Sequence, residues 1–378
     1  MRRAAALALG LLPALLAGGL WRLERDQPLW LRPALPPAPR RAPAEWPRLV
    51  LAFHYPWYGT PGGPSGRWRH WNHARVALPG ERILGFHDPR REVAPGRLDL
   101  GATHYPARGP YDSRDPALIR EQLHLARDAG LDGFVVSWWG RESEEAAAFC
   151  AILEAARDSG LRLTAYYEAA WLWPRGAAGV AADLEALLAR HGGHPAFLRA
   201  GGVPIVFVYG AHRLRPAAWD AVRGHLATRG HRVLLVGDAA RPAWLERFEG
   251  LHVYSPVEFL ARGRDLARVY RERADAARTA GIPFLPAVAP GFDDQKIREP
   301  GMVVDRAEGA TYDATWRAAL AADPAGLLVA SWNEWHEGSE IEPSREHGRR
   351  YLDATRRWAE RFRATTPPSL PVGGRGPG

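Results

Sequence analysis

The chain repeats one local pattern five times: an amphipathic stretch, then a glycine, then a run of apolar residues. The glycines are Gly130, Gly160, Gly250, Gly281 and Gly326. Glycine can end a helix in the left-handed conformation at no steric cost, and an unbroken apolar run is typical of a parallel strand covered on both faces. Each repeat therefore predicts the boundary between a helix and the next strand.

Three further apolar segments, at 49–58, 204–209 and 232–237, complete a set of eight predicted strands. The glycines at 130 and 160, and those at 250 and 281, are spaced by about one βα unit of roughly 30 residues. Eight strands alternating with helices predict the α/β class and a (β/α)8 TIM barrel. A doubly wound open sheet is the alternative.

Positive charge is concentrated at the N-terminus. The 378 residues carry a formal net charge of +8, and residues 1–48 hold eight arginines against three acidic residues, which leaves +3 for the rest. A body so close to neutral does not match the phosphate backbone of a nucleic acid. We therefore expect no nucleic-acid partner.

The N-terminal segment has the layout of an export signal. Arg2 and Arg3 precede an uncharged apolar run at 4–20, which is typical of a signal peptide or signal anchor. No convincing Ala-x-Ala cleavage site follows, which favours an uncleaved anchor.

Seven prolines then indicate an extended linker. The predicted segments are a signal peptide or anchor at 1–26, a Pro-rich linker at 27–48, one catalytic domain at 49–365 and a flexible tail at 366–378. We expect an extracytoplasmic protein, membrane-anchored or secreted.

Chemistry-bearing residues gather where the predicted strands end, which is where barrel enzymes build their active sites. Six strand ends carry Trp or Tyr, whose flat faces and polar tips suit sugars. Glu168 ends the third strand, and Glu334 and Glu337 flank a tight turn after the eighth. Glycosidic cleavage needs one carboxylic acid and one carboxylate, and clustered carboxyl groups raise one another's pKa. We therefore expect catalysis by Glu334 and Glu337.

Other kinds of site fit the sequence less well. The histidines at 54, 73, 104 and 336 match no metal-binding spacing, and the run at 336–340 lacks the second histidine of His-Glu-x-x-His. The glycine-rich stretch 59–66 lacks the end of a phosphate loop, so we interpret it as a mobile loop over the site. No Gly-x-Ser-x-Gly elbow is present. We expect no metal and no cofactor, with a metal-dependent deacetylase as an alternative.

Several strings in the chain are similar to those of a known family. HYPWYG at 54–59, WNH at 71–73, SWW at 137–139, YYE at 166–168 and WNEWHEGSEIEP at 332–343 resemble glycoside hydrolase family 99, the endo-α-mannosidase and endo-α-1,2-mannanase family. The resemblance covers about residues 50–360. It implies a (β/α)8 barrel and a retaining endo-acting hydrolase of an internal α-mannosidic linkage. In this family the substrate's own 2-hydroxyl attacks the anomeric carbon and forms a 1,2-anhydro sugar.

The resemblance also implies residue roles. Glu334 resembles the base that deprotonates the 2-hydroxyl, and Glu337 resembles the acid/base that protonates the leaving oxygen and later activates water. Glu168 matches a carboxylate that contacts the sugar, and Tyr254 matches an active-site tyrosine. Five further residues in matching strings are expected to contact substrate: Tyr55, His73, Trp138, Asn333 and His336.

The sequence departs from the family after the second strand. Eukaryotic members have Ser-Trp-Tyr-Pro and a long loop, whereas here Trp139 and Gly140 lead at once into a charged helix start. The preferred sugar is therefore open. The partner is expected to be an oligosaccharide or polysaccharide, and the protein a monomer. Two alternatives remain: a surface-polysaccharide processing or assembly protein of the same fold, and a non-catalytic carbohydrate-binding barrel.

Overall fold

The computed structural model describes residues 46–365. The predicted signal segment at 1–26, the flexible tail at 366–378 and all but the end of the proline-rich linker lie outside the described residues. In the described part of the chain, no helix combines the length and the apolar character needed to cross a bilayer.

Eight parallel strands form a closed barrel. Their bounds are β1 Val50–His54, β2 Gly133–Trp138, β3 Arg162–Tyr167, β4 Val203–Val208, β5 Leu234–Gly237, β6 Gly250–Val253, β7 Phe284–Val288 and β8 Leu327–Val329. Each strand pairs with the next, and β1 pairs with both β2 and β8. The predicted (β/α)8 barrel is confirmed, and the open-sheet alternative is wrong because the sheet has no free edge.

Helices alternate with the strands around the outside. Their bounds are α1 Pro116–Asp128, α2 Glu144–Ala155, α3 Ala169–Leu172, α4 Gly176–His191, α5 Pro216–Thr228, α6 Pro242–Leu245, α7 Val257–Ala261, α8 Leu266–Thr279, α9 Ala310–Leu320 and α10 Arg350–Ala364. Short 3-10 turns lie at Trp173–Arg175, Ala211–Arg213, Ala307–Gly309 and Trp335–Glu337. The last of these turns belongs to the candidate site.

The five repeat glycines fall into two groups. Gly130, Gly160 and Gly281 are left-handed, with φ of 72°, 83° and 67°, as expected for residues that follow a helix. Gly250 and Gly326 are not left-handed, so the predicted reason for glycine is wrong at these two positions. A Cβ at 250 would lie 3.2 Å from the Val236 side chain, and one at 326 would lie 3.1 Å from a backbone oxygen. Close packing accounts for glycine there.

A long segment between β1 and α1 carries a small sheet to the end of the barrel where the strands terminate. Strands Ala74–Ala77 and Arg82–Phe86 form a hairpin, and Ala74–Ala77 also pairs with Arg298–Glu299 from the segment after β7. Shorter strands lie at Glu92–Ala94, Arg97–Leu98, Arg199–Ala200, Phe292–Asp293 and Val303–Val304. The pairing joins two connections that are far apart in sequence.

The glycine-rich loop at 59–66 leads into two arginines that contact the start of α2. Arg69 forms ion pairs with Glu144 and Glu145, each at 2.9 Å, and Arg67 also pairs with Glu144. Within the loop, the Ser65 amide donates to a carboxylate oxygen of Asp112 at 2.7 Å. These contacts hold the C-terminal end of the loop against the body, and its predicted mobility stays a prediction.

Candidate active site

A cleft of about 630 Å³ opens where the barrel strands end. Seven of its fourteen lining residues are Tyr or Trp: Tyr55, Trp57, Trp139, Tyr166, Trp171, Tyr209 and Tyr254. The polar lining consists of His73, Glu168, Arg298, Glu334, His336 and Glu337. The strand ends supply most of these side chains, because consecutive parallel strands end at the same rim of the barrel.

The two carboxylates of the last motif are carried by one turn. Glu334 caps the 3-10 turn that follows β8, its side chain accepts a hydrogen bond from the His336 amide at 3.2 Å, and its own amide donates to Ser331 Oγ at 2.7 Å. Gly338 then ends the turn in the left-handed conformation. The buried Trp335 lies between the two glutamates in sequence, and both carboxylates line the cleft.

Three glutamates share the cleft under poor solvation. Glu334 and Glu168 are 3% and 4% exposed. Burial raises the pKa of Glu334, and the neighbouring Glu337 raises it further. Burial also raises the pKa of Glu337. For Glu168 burial raises the pKa to about 8, even though the Ser137 hydroxyl donates to it at 2.6 Å. Near neutral pH the cleft can therefore hold a protonated carboxyl group and a carboxylate together.

Arg298 orients one of these carboxylates. Its Nη1 donates to Glu337 Oε1 at 3.1 Å and to Asp294 Oδ2 at 2.7 Å. The bond from Arg298 therefore sets the orientation of the Glu337 carboxyl group. Burial raises the pKa of this group and the guanidinium lowers it. Sequence reasoning missed Arg298, because only the pairing of its strand with Ala74–Ala77 brings it to the cleft.

Two histidines face the cleft as neutral rings. Burial lowers the pKa of both His73 and His336. The Nδ1 atom of His336 contacts the Gly101 carbonyl oxygen, and Nδ1 of His73 lies 2.7 Å from the Ala74 carbonyl oxygen. These contacts require Nδ1–H, so Nε2 of each ring is an acceptor. The ring centroids are 4.5 Å apart, and together the rings offer a substrate two acceptors for hydroxyl groups.

The described residues 46–365 contain no group of three or more His, Cys, Asp or Glu side chains arranged to hold a metal ion.

Tyr55 and Tyr254 join the two sides of the cleft. Their hydroxyl groups are 2.5 Å apart. Burial raises the pKa of both, and the Glu334 carboxylate adds to the effect. Both phenols therefore keep their protons. Because Tyr55 is the donor in this pair, the Tyr254 hydroxyl can donate to a carboxylate or a sugar oxygen in the cleft.

Two residues expected to contact substrate lie elsewhere. Asn333 is fully buried: its Oδ1 accepts from the Tyr55 amide at 2.7 Å and its Nδ2 donates to the Tyr55 carbonyl at 3.0 Å. It joins the ends of β1 and β8. Trp138 is 2% exposed and packs in the layer between the barrel and the helices. Trp139 lines the cleft in its place, because alternate residues of a strand point to opposite faces.

Trp139 is one of two parallel indoles that sequence reasoning did not assign to the site. Its ring lies 6.5 Å from that of Trp171, with 9° between the planes. The Trp139 Nε1 donates to Ser137 Oγ at 3.0 Å, and that hydroxyl donates to Glu168. The only signal for Trp171 in the sequence is its position three residues after Glu168, which is one helical turn.

A buried network contacts the turn that carries Glu334 and Glu337. Trp335 Nε1 donates to the Tyr111 hydroxyl at 2.9 Å, and Tyr111 donates to Glu342 at 2.7 Å. Gln122 donates to the other Glu342 oxygen at 2.7 Å. Burial raises the pKa of Glu342 to about 7. The network joins α1 to Glu342 and, through Tyr111, to Trp335 of the turn.

Comparison with known proteins gives consistent results. The sequence profile of Glycosyl hydrolase family 99 matches residues 47–364. The chain is 28% identical to the glycoprotein endo-alpha-1,2-mannosidase of Rattus norvegicus over 351 residues, which cover 83% of this chain and 75% of the relative. It is also 28% identical to the glycoprotein endo-alpha-1,2-mannosidase-like protein of Mus musculus over 369 residues, covering 86% and 79%.

A solved structure agrees with these relatives. The GH99 endo-alpha-mannosidase from Bacteroides thetaiotaomicron superposes with a TM-score of 0.72 at 25% identity, covering 83% of this chain and 97% of that one. The family profile covers the whole barrel and both carboxylates of the turn. The chain therefore belongs to glycosyl hydrolase family 99 and is an endo-acting glycoside hydrolase whose substrate is an oligosaccharide.

Proposed function

We propose that the protein hydrolyses an internal α-mannosidic linkage and retains the anomeric configuration. The observation that carries the proposal is the turn that places Glu334 and Glu337 in one buried cleft with raised pKa values. The relatives named above are endo-alpha-mannosidases, which supports the linkage. The acidic pair supports catalysis over simple binding, because a binding barrel has no use for two carboxyl groups that are costly to desolvate.

In the proposed first step, the carboxylate of Glu334 takes the proton of the substrate's 2-hydroxyl. The freed oxygen attacks the anomeric carbon while Glu337, as a carboxylic acid, gives its proton to the departing glycosidic oxygen. The products are a 1,2-anhydro sugar and the released reducing-end fragment. Burial supports this division, because a poorly solvated Glu334 is a stronger base than a solvated one.

In the second step water opens the anhydro ring. The Glu337 carboxylate takes a proton from water as the water oxygen attacks the anomeric carbon. The bond between the anomeric carbon and the 2-oxygen breaks, and Glu334 returns to the 2-oxygen the proton that it took in the first step. Two inversions give net retention. Arg298 supports the role of Glu337 by holding Oε1 in place through both steps. Tyr254, His73 and His336 are proposed to bind the sugar hydroxyl groups.

We also propose that the enzyme acts outside the cytoplasm and is held to the membrane by residues 1–26. The support is the arginine pair followed by an apolar run at 4–20. The seven prolines between residues 27 and 48 would then act as a spacer. Fractionation of cells that express the full chain tests this: recovery in the cytoplasmic fraction contradicts export, and release by high salt contradicts an anchor.

The reaction is tested by NMR of the anomeric protons while the full-length protein digests a panel of α-mannosyl oligosaccharides. We expect internal cleavage and a first-formed product in the α configuration. A first-formed β anomer contradicts retention. Absence of product from every α-mannoside contradicts the linkage and favours a different glycan, as in polysaccharide assembly.

The role of Glu337 is tested by Glu337→Gln on two substrates that differ only in the leaving group. We expect the first step, followed as release of the leaving group in a single turnover, to be lost on the natural sugar leaving group and largely kept on a glycosyl fluoride, which needs no protonation. Steady-state turnover should fall on both substrates, because Glu337 also activates water in the second step. An equal loss of the first step on both substrates contradicts the role of acid. Equal rates for the variant and the parent on the sugar leaving group contradict any role in catalysis.

A further inference from the structure

A second cavity, about 620 Å³ in volume, lies beside the active-site cleft. Arg75 lines it, two residues after His73 of the cleft, and so does Lys296, two residues before Arg298 of the cleft. Two residues of chain span at most about 7 Å. The strands at 74–77 and 298–299 are also paired. The two cavities therefore lie close to each other along the small sheet.

The second cavity carries an excess of positive charge. Arg75, Arg91 and Lys296 line it, against the single carboxylate of Asp99. That carboxylate already has partners: one oxygen lies 2.6 Å from His87 Nδ1 and the other 2.5 Å from Arg91. Although burial acts to raise it, these two contacts lower the pKa of Asp99 to about 2, so the carboxylate stays ionised and its charge is largely offset.

Two of the cations have no partner of this kind. In the described range 46–365, neither the Arg75 guanidinium nor the Lys296 ammonium forms an ion pair, although the chain has many arginine–carboxylate pairs elsewhere. Both residues are exposed to solvent at the mouth of the cavity. Lys296 is also the only lysine of the chain, against 49 arginines. Two cations that face one cavity without a carboxylate partner suit an anionic ligand.

An aromatic ring stands at the rim of the cavity. Phe86, which ends the strand Arg82–Phe86, lines it with 57% of its surface exposed. A large apolar side chain this exposed is unusual and often marks a contact site. A flat ring offers a surface on which the apolar face of a sugar can pack. Phe86 therefore favours a sugar ring as part of the ligand, in addition to the negative charge that Arg75 and Lys296 favour.

We propose that this cavity binds the carboxylate or phosphate substituent of an acidic sugar in a glycan that extends from the catalytic cleft. Arg75 and Lys296 bind the anion, and Phe86 packs against the sugar that carries it. The glycan part rests on the proposed function. The natural substrate is then an acidic oligosaccharide or polysaccharide, with the charged sugar a short distance from the cleaved bond.

The test is isothermal titration of the full-length protein with mannose 6-phosphate and glucuronic acid, with mannose as the neutral match and inorganic phosphate as the free anion. The test variant is Arg75→Gln with Lys296→Gln. The control is Arg120→Gln with Arg232→Gln, which removes the same charge from exposed positions on α1 and before β5. We expect the acidic sugars to bind at least about tenfold more tightly than mannose, and only the test variant to lose this preference.

Each contrary outcome is distinct. Equal loss in the test and control variants shows a general charge effect and overturns the site, as does equal binding of mannose and mannose 6-phosphate. Inorganic phosphate that binds as tightly as mannose 6-phosphate overturns the sugar assignment, and Phe86→Ala is expected to produce that equality. Because binding is measured without turnover, a failure of the proposed hydrolysis leaves these titrations interpretable.

Discussion

At the carboxyl end of the barrel, the two faces of the strands differ in chemistry. Toward the helices they present an apolar layer that includes Val136, Trp138 and Val208, and this layer is closely packed. Toward the barrel axis, at the carboxyl end, they present Ser137, Tyr166 and, just beyond β3, Glu168. Residues adjacent in sequence thus belong to different environments. Position on the strand, more than residue type, therefore decides whether a side chain stabilises the fold or lines the cleft.

The two layers also differ in energy. Burial of apolar surface stabilises the outer layer at about 25 cal/mol per Å². The inner layer holds Glu168, Glu334 and Glu337, and burial raises the pKa of each, which shows that their ionised forms are poorly solvated. We expect substitutions in the outer layer to change mainly stability, and substitutions in the inner layer to change mainly activity.

The largest effect is expected from Glu334→Gln. The amide cannot accept the proton of the 2-hydroxyl, so kcat should fall by a factor of about 10² to 10⁴. The free energy of unfolding should stay the same or rise, since the variant no longer buries an acidic group. Steady-state kinetics and thermal melts measure both quantities, with the exposed Glu360→Gln as control. A variant that keeps its kcat, or one that loses activity because it unfolds, would break the comparison.

The neighbouring tryptophans give the most direct contrast. Trp138→Ala should lower the free energy of unfolding by about 3–5 kcal/mol and leave KM within a few-fold for the folded fraction. Trp139→Ala should weaken substrate binding by about 1–3 kcal/mol and change stability much less. Chemical denaturation and KM are measured for both. A large rise in KM for Trp138→Ala, with little change for Trp139→Ala, would indicate that Trp138 contacts substrate as the sequence predicted.

A smaller effect concerns pH. The pKa of Glu168 is about 8 in the folded protein and close to the ordinary 4.5 when unfolded. Between these values the folded state holds a proton that the unfolded state has released, so stability falls as pH rises from about 4.5 to about 8. Each pH unit is worth at most about 1.4 kcal/mol. Glu168→Gln should remove this slope.

The measurement is the Tm of both proteins at pH 5 and at pH 8. The advantage of Glu168→Gln over the parent should be larger at pH 8. Glu360→Gln, on the solvent face of α10, is the control and should follow the parent at both values. If the Tm of Glu168→Gln exceeds that of the parent by less at pH 8 than at pH 5, Glu168 is stabilised as a carboxylate.

The smallest effect is expected from Ser137→Ala, which removes the hydroxyl between Trp139 and Glu168. One hydrogen bond contributes about 1 kcal/mol, so KM should rise by about fivefold as the indole loses its orientation. kcat should change less, since the Glu334–Glu337 turn is not touched. Ser137→Thr keeps the hydroxyl and should restore the KM. Failure of threonine to restore it would indicate a packing effect.

Some of the site could be read from the sequence because its residues are close together in the chain. Glu334 and Glu337 lie on one turn, and the strand ends at 54–58 and 166–168 are continuous strings, so local spacing already brings their side chains to one rim. Asn333 is different: it was expected at the substrate because it is adjacent to Glu334, yet its amide bonds to the Tyr55 backbone. This contact depends on β1 lying beside β8, so the local sequence around Asn333 does not reveal it.

The eight strands, the order of strands and helices, and the turn that carries Glu334 and Glu337 could be predicted from the sequence, because they depend on periodicity and on neighbours within a few residues. Three contacts could not be predicted from the sequence: Arg298 bonds to Glu337, Trp139 rather than Trp138 lines the cleft, and Arg75 and Lys296 line one cavity. These contacts join segments far apart in the chain. Their geometry depends on how the loops pack across the barrel, which no local pattern encodes.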